Sequence, residues 1–380
     1  MEKIIIHFGS DSDFNKLIEN VDSYYTIGDV IKHISKETIA IEGASKHFEA
    51  PLDVENLIIY TDDYGGIKEW AILGVSNNIF ENPRIQIKNL FLNNPPKKFY
   101  DDVKKTYPDI ISESTSDRPS LDLEILKGIA SDYSNIVIGQ PNVLRRLLPT
   151  LYSLVNPQRK KPITILFLGD SGVGKTETAK FINSKFGGEM LRIQFSMQQT
   201  GEAYKYIFGG EHGEDSFARE LIRRESNVIL LDEFDKVNSL FYNAFYQMFD
   251  EGLFVDKNYS VNVERCIIIC TSNYKSAEEA EKCLGSPIFS RFSKVIRFDE
   301  ISIEDKLKIA AKNYNVLYAQ LSGEDQKLIE RNVVLNTFLE AIRRGYSKNM
   351  RTLKNDIEDA LNIEVLKARG ILTSDTTAGE

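Results

Sequence analysis

Short apolar runs alternate with amphipathic stretches along most of the 380 residues. In the first 92 residues, strand composition occurs in "KIIIHFG", "TIAIEG", "NLIIYTDD", "WAILGVS" and "IQIKNLFL". Apolar residues at helical spacing occur in "FNKLIENV" and "TIGDVIKHI". This mixture predicts a small, separate α+β domain at 1–92. Its three histidines stand apart from one another, so no catalytic group is evident and the role of the domain stays open.

Proline, serine and charged residues are concentrated in "NNPPKKFYDDVKKTYPDIISESTSDRPS", residues 93–120. Because prolines interrupt regular elements, this segment is predicted to be a linker with room for one short helix. We recognise no internal repeat in the sequence.

Strand and helix patterns alternate from residue 121 to 299 and give way to helical patterns alone over 300–372. An apolar strand such as "ITILFLG" is typical of a parallel sheet covered on both faces. The alternation predicts a doubly wound α/β domain at 121–299, followed by a small helical domain at 300–372 and a flexible tail at 373–380.

The composition excludes several classes of protein. No basic segment followed by an apolar core stands at the amino terminus, and no apolar run reaches the ~18 residues that span a bilayer. We therefore expect a cytoplasmic protein without a membrane segment. Residues 1–120 carry 20 acidic and 13 basic side chains, and the rest of the chain has no basic excess, so a nucleic-acid partner is not expected. The three cysteines are too few for a disulfide framework.

A glycine-rich loop lies in "LFLGDSGVGKTETAKF", residues 166–181. It follows an apolar strand, precedes a helix and fits the pattern G-x-x-x-x-G-K-[ST]. Backbone N–H groups of such a loop converge on phosphates, and the helix adds the positive end of its dipole. Lys175 would neutralise the β- and γ-phosphates of ATP, and Thr176 would hold Mg²⁺. The predicted nucleotide-binding residues of the loop are Gly169, Asp170, Ser171, Gly172, Val173, Gly174, Lys175 and Thr176.

Two later strands end in polar side chains. In "NVILLDEFDK" the strand delivers Asp232 and Glu233 to the carboxyl edge of the sheet, where open α/β sheets bind ligands. Asp232 suits Mg²⁺, and Glu233 suits polarisation of the attacking water, because phosphoryl transfer depends on an oriented nucleophile. The strand "RCIIICTSN" ends in Asn273, which could contact the γ-phosphate or that water.

These elements, in this order, resemble an AAA+ ATPase, and several stretches between residues 121 and 372 resemble the Clp branch, in particular its second ATPase module. "LLDEFDKVNSLFYNAFYQMFDEG" matches the Asp-Glu strand and the helix after it, and "IVIGQPNVLRRLL" resembles the segment that packs against adenine. The resemblance implies that Val137 and Ile138 contact the base. It places an arginine finger at Arg291 in "GSPIFSRFSKVIRF" and a sensor arginine at Arg351 in "FLEAIRRGYSKNMRTLKNDI".

The resemblance further implies ATP and Mg²⁺ as cofactors and a homo-oligomeric ring, a hexamer by analogy, that remodels or unfolds a protein client recruited by the 1–92 domain. The family grips polypeptide with an aromatic loop, and the corresponding segment here, "AYKYIFGGEHGED", is unusually acidic. The alternative is therefore an ATP-gated oligomeric switch or scaffold that threads no substrate. A nucleic-acid motor is disfavoured by the charge balance.

Overall fold

The computed structural model describes residues 1–35, 51–197, 202–345, 350 and 352–372. Its elements fall into an amino-terminal domain, a central domain and a helical domain. The first contains β1 (Lys3–Phe8), α1 (Asp11–Leu17), β2 (Tyr25–Thr26), α2 (Ile27–Ser35), β3 (Leu52–Ile59), α3 (Glu69–Ile72), β4 (Ile85–Asn93), α4 (Lys97–Thr106) and β5 (Ile111–Thr115).

The amino-terminal sheet differs from the predicted α+β arrangement. Its five strands run in the order β2-β3-β4-β1-β5, and every neighbouring pair is parallel. The segment "WAILGVS" is helical from Glu69 to Ile72 and is not a strand. Trp70 and Leu73 are exposed whereas Ala71 and Ile72 are buried, a pattern that a helix satisfies and strand alternation does not. The predicted strand "TIAIEG" lies outside the described residues.

The predicted linker at 93–120 is wrong over most of its length. Helix α4 buries Phe99 and Val103 in the amino-terminal core, and β5 pairs with β1, with Ile4 opposite Ile111. Since β5 is an edge strand, it tolerates the serines and charges that made the segment resemble a linker. The amino-terminal domain therefore extends to about residue 116.

The central domain confirms the predicted doubly wound α/β fold. It contains α5 (Leu123–Ile136), α6 (Pro141–Tyr152), β6 (Ile163–Leu168), α7 (Lys175–Ser184), β7 (Leu191–Gln194), α8 (Ala203–Phe208), α9 (Phe217–Arg223), β8 (Val228–Asp232), α10 (Tyr242–Glu251), β9 (Leu253–Val255), β10 (Ser260–Asn262), β11 (Ile267–Thr271), α11 (Ala277–Leu284), α12 (Ser286–Phe289) and β12 (Lys294–Arg297). The parallel sheet has the order β12-β6-β11-β8-β7, and β9 and β10 form an antiparallel hairpin beside it.

Apolar clusters cover both faces of this sheet. Strands β6, β8 and β11 are buried along their whole length, which explains their unbroken apolar sequences. Aromatic residues, including Phe217, Phe234, Phe245 and Phe249, pack on one face, and α5, α6 and α7 cover the other.

The helical domain also follows its sequence pattern. It consists of α13 (Ile303–Gln320), α14 (Gly323–Leu328), α15 (Arg331–Arg343) and α16 (Leu353–Ala368), packed around Tyr314, Leu353 and Ile357. The predicted tail at 373–380 is outside the described residues. Among the helices that the structure describes, none has both the length and the apolar character needed to cross a bilayer.

Candidate nucleotide site

The glycine-rich loop turns between the buried strand β6 and the ten-residue helix α7. Gly169, Gly172 and Gly174 have φ angles of 129°, 85° and 103°, which side chains disfavour. A Cβ at Gly169 would lie only 3.0 Å from the carbonyl oxygen of Phe298. The glycines are therefore required by the backbone path, and this path sets the loop at the N-terminus of α7, where free N–H groups favour an anion.

The Lys175 side chain lies inside the loop and is only 8% exposed. Its ammonium donates to the carbonyl oxygens of Gly169 and Asp170, the latter at 2.8 Å, and lies 3.4 Å from Oδ1 of Asn273. These three acceptors are neutral oxygens. The tertiary structure thus brings the predicted phosphate-binding lysine and the side chain of Asn273, two residues after β11, within hydrogen-bonding reach of each other.

Asp232 ends β8, which is separated from β6 by β11 in the sheet, and is 6% exposed. Its Oδ1 accepts a hydrogen bond from Oγ1 of Thr271 at 2.5 Å, and its Oδ2 accepts from Nε and Nη2 of Arg192 at 3.0 and 2.5 Å. Sequence reasoning missed Thr271 and Arg192. Thr271 could have been suspected because it precedes Asn273 in "CTSN", but nothing in "LRIQF" indicates that Arg192 reaches Asp232 from the neighbouring strand.

Glu233 follows in the left-handed region, with φ 56° and ψ 45°, and is half-buried. Its N–H donates to Oγ1 of Thr271 at 3.0 Å, so the threonine hydroxyl joins both acidic residues. A non-glycine residue in this conformation costs of order 1 kcal/mol and is held by its surroundings. Such strain is typical of functional positions.

The predicted adenine segment lies against the loop. Val137 is buried, and its Cγ1 would be 3.4 Å from a Cβ at Gly174, whereas Ile138 is half-buried. Gln140, another residue missed from sequence, is 1% exposed. It donates to the carbonyl oxygens of Val173 at 3.1 Å and Asp299 at 2.8 Å. Gln140 thereby ties this segment to the phosphate loop and to the end of the sheet.

The helical domain reaches the same segment from the other side. Lys312 on α13 donates to the carbonyl oxygen of Asn135 at 3.0 Å, and Asp305 lies against Gly139. The predicted sensor residue Arg351 lies outside the described residues. Helix α13 thus contacts both ends of residues 135–139.

Arg291 is separated from this group. Its Nε donates to Oδ2 of Asp250 at 2.7 Å, its Nη1 donates to the carbonyl oxygen of Pro287, and its guanidinium stacks over the ring of Tyr246 at 4.0 Å. None of these partners belongs to the phosphate loop or to the ends of β8 and β11. The contacts that hold the Arg291 side chain therefore lie outside this group.

The segment predicted to grip a client divides into two parts. Tyr204 is 62% exposed and its ring packs at a tilt against the half-buried Phe208, with ring centroids 4.7 Å apart, while Tyr206 is buried. The acidic part that follows packs against the amino-terminal domain, where Gly213 meets Gly65. The exposed aromatic surface is therefore formed by Tyr204 and Phe208, upstream of the acidic residues.

The donors at the site fit Mg²⁺ bound together with a nucleotide. Thr176 is the second residue of α7 and Asp232 ends β8, so a hydroxyl and a carboxylate lie at the same edge of the sheet. The described residues contain no group of three or more His, Cys, Asp or Glu that could hold a metal alone. Mg²⁺ commonly uses one or two carboxylates, substrate phosphates and water, so a complete protein cage is not needed.

A phosphate loop after an interior parallel strand, with acidic residues at the end of the third strand of the sheet and an asparagine just after the fourth, is the arrangement of a P-loop nucleoside triphosphatase domain. Residues 160–323 match the family described as "AAA domain (Cdc48 subfamily)". Similar curated proteins include the chaperone protein ClpB of Chlamydia caviae, 30% identical over 288 residues, and the ClpA homolog protein of Fuscovulum blasticum, 28% identical over 286 residues. The part of the chain after residue 120 thus resembles the AAA+ domains of the Clp branch, in particular a second ATPase module.

The matches extend over only part of these relatives. The two alignments cover 63% and 64% of this chain but 32% and 35% of the relatives, so the chain spans about a third of the length of the curated relatives it matches. A solved structure described as "Closed State CryoEM Reconstruction of Hsp104:ATPyS and FITC casein" is similar with a TM-score of 0.53 and 15% identity. It covers 96% of this chain and 89% of its own, and at this identity it supports the fold alone.

Proposed function

We propose that the protein hydrolyses ATP with Mg²⁺ and uses the energy to remodel or unfold a protein client, as a single-ring homo-oligomer. The observation that carries the proposal is the convergence of Lys175, Asp232, Glu233 and Asn273 at one edge of the sheet. In this proposal the loop binds the phosphates, Thr176 and Asp232 hold Mg²⁺, and Glu233 orients the attacking water.

The ring is supported by the position of Arg291. An arginine finger stabilises the charge of the phosphoryl-transfer transition state, and Arg291 is held by Asp250 and Tyr246 away from its own loop. A second copy could present its loop to Arg291, so that hydrolysis depends on assembly. The number of subunits, a hexamer by analogy, and recruitment of the client by the amino-terminal domain are parts of the same proposal.

Hydrolysis is tested by phosphate release from the wild-type protein and from Glu233→Gln. The amide keeps the size of the side chain but cannot accept a proton, so we expect nucleotide binding to persist and release to fall by about 10²-fold or more. Glu251→Gln, an exposed change on α10, is the matched control. Equal, background-level release from the wild type and Glu233→Gln would rule out catalysis.

A second candidate, an ATP-gated switch or scaffold that threads no polypeptide, is supported by the packing of the acidic residues after Phe208 against the amino-terminal domain. Tyr204→Ala separates the two candidates, because this side chain is exposed and distant in sequence from the catalytic group. If the protein threads its client, the variant should lose unfolding of a tagged fluorescent protein and keep ATPase activity. Absence of unfolding by the wild type, with ATPase intact, would favour the switch.

A further inference from the structure

The two parallel sheets of the chain have the same topology. If the five strands of each parallel sheet are numbered along the chain, without the hairpin of β9 and β10, both sheets are ordered second, third, fourth, first, fifth. Their hydrogen-bond registers also correspond. In the central domain the N–H of Ser272 donates to the carbonyl oxygen of Phe167 at 2.9 Å, and in the amino-terminal domain the N–H of Asn94 donates to that of His7 at 2.8 Å. Each bond joins the residue after the fourth strand to the first strand.

The fifth strands correspond in the same way. Phe298 donates its N–H to the carbonyl oxygen of Leu168 at 2.9 Å, and Ser116 donates to that of Phe8 at 3.1 Å. Two sheets of five parallel strands with one order and matching ladders indicate two copies of one core, although their sequences show no repeat.

The amino-terminal copy lacks the groups that bind a nucleotide. Two residues separate β1 from α1, whereas six separate β6 from α7. The helix consequently starts with Asp11 at the position where Lys175 starts α7, and an acidic residue there repels phosphate. On the third strand, Ile59 lies opposite Leu92 as Leu231 lies opposite Cys270, which places Tyr60 and Thr61 where Asp232 and Glu233 stand.

The carboxyl edge of this copy is instead filled by α9 of the central domain. Arg223 contacts Asp11 and donates to Asp62 at 3.0 Å, while Arg219 contacts Asp62 and donates to the carbonyl oxygen of Thr61 at 3.2 Å. Arg219 is only 4% exposed. A guanidinium buried to this degree depends on its partners, so the edge and α9 fit one another as a docking pair.

We infer that the amino-terminal domain is a nucleotide-free copy of the ATPase core, and that its carboxyl edge serves as a docking site for α9 of the same chain. Helix α9 connects the acidic loop at 209–216 to β8, which ends in Asp232. Docking therefore holds the acidic loop in place and links the amino-terminal domain mechanically to the strand that carries the acidic residues of the site.

The number of nucleotides bound per chain tests whether the amino-terminal domain is nucleotide-free. Calorimetric titration of the full chain with Mg²⁺ and ATPγS should give one site per chain, and Lys175→Ala should abolish it. A second site, or a site that survives in Lys175→Ala, would overturn the inference. No site at all in the wild-type protein would contradict the proposed function, not this inference, which the docking experiment tests separately.

Docking is tested by a glycine pair. A Cβ at Gly65 would lie 2.7 Å from Cα of Gly213, whereas a Cβ at Gly66 meets nothing within 4 Å. Gly65→Leu should accelerate amide hydrogen exchange in residues 209–223 by about tenfold or more, and Gly66→Leu should not.

A second test removes the carboxylates that α9 contacts. The double variant Asp11→Asn/Asp62→Asn should accelerate the same exchange as Gly65→Leu does, with Asp22→Asn as its control. Slow exchange in β1 and β4 verifies that the domain stays folded. Unchanged exchange at 209–223 in both test variants would overturn the inference.

Discussion

Arg192 directs two N–H donors at one carboxylate oxygen of Asp232, at 3.0 and 2.5 Å, although the two residues belong to neighbouring strands. This oxygen belongs to the side chain that is proposed to hold Mg²⁺. A guanidinium and a divalent cation compete for the same negative charge, so Arg192 should weaken the apparent affinity for Mg²⁺.

We expect Arg192→Gln to lower the Mg²⁺ concentration that gives half-maximal nucleotide binding by several-fold, since the competing charge is removed. Titration of a fluorescent ATP analogue at a series of Mg²⁺ concentrations measures this half-maximal concentration. Arg192→Lys, which keeps the charge, should stay close to the wild type. A higher Mg²⁺ requirement in Arg192→Gln would instead mean that the arginine positions Asp232 for the metal.

The left-handed conformation of Glu233 predicts that stability and activity respond in opposite directions. Glycine adopts φ 56° without steric cost, so Glu233→Gly should raise the free energy of unfolding by up to about 1 kcal/mol while it abolishes phosphate release. Urea unfolding and an ATPase assay measure the two effects. Glu251→Gly, at the carboxyl end of α10, is the control and should leave catalysis intact without raising the free energy of unfolding. If Glu233→Gly lowered the free energy of unfolding, this would contradict the proposed backbone strain at Glu233.

Arg291 is expected to act on a neighbouring copy. Arg291→Ala should reduce phosphate release by about 10³-fold or more without loss of nucleotide binding, as for other arginine fingers. Lys282→Ala, an exposed change on α11, is the control.

Mixing experiments test the same arrangement more directly. Rings assembled from Arg291→Ala and Lys175→Ala chains should recover part of the activity, because the first supplies an intact loop and the second supplies the arginine. Failure of every mixture to exceed the activity of its components would argue against a shared site.

The free energy of unfolding of the chain should fall in mild acid. Burial lowers the pKa of His212 below its ordinary value of 6.5, and burial likewise lowers the pKa of His7. Glu69, Glu211, Lys98 and Lys257 also act on His212. Because the unfolded chain binds these protons at a higher pH than the folded chain, stability should fall as the pH drops through about 6.5.

Urea midpoints at pH 7.5 and 5.5 measure this effect, and His212→Gln should reduce the difference between them. Asp13, whose pKa is lowered to about 2 chiefly by a hydrogen bond from Ser116, does not titrate in this range and so does not obscure it. An equal pH dependence in the variant would exclude His212 as a source.

Some residues of the candidate site could be predicted from the sequence, and others could not. The sequence from Gly169 to Thr176 predicts phosphate binding by itself, because the required glycines, lysine and threonine are contiguous. Asp232, Glu233 and Asn273 were predicted because each stands at or just after the end of a continuous apolar strand. Arg192, Thr271 and Gln140 were not found, since each acts through a contact between segments distant in the chain.

The sequence alone determined the phosphate loop, the apolar strands that end in acidic residues at the edge of the sheet, and the helices that follow. Local periodicity and contiguous motifs encode these features. Only the tertiary structure decided that residues 93–120 complete the first sheet, that both sheets share one strand order and that α9 fills the edge of the first. Strand order and register depend on backbone hydrogen bonds between distant segments, and many apolar sequences satisfy them equally well.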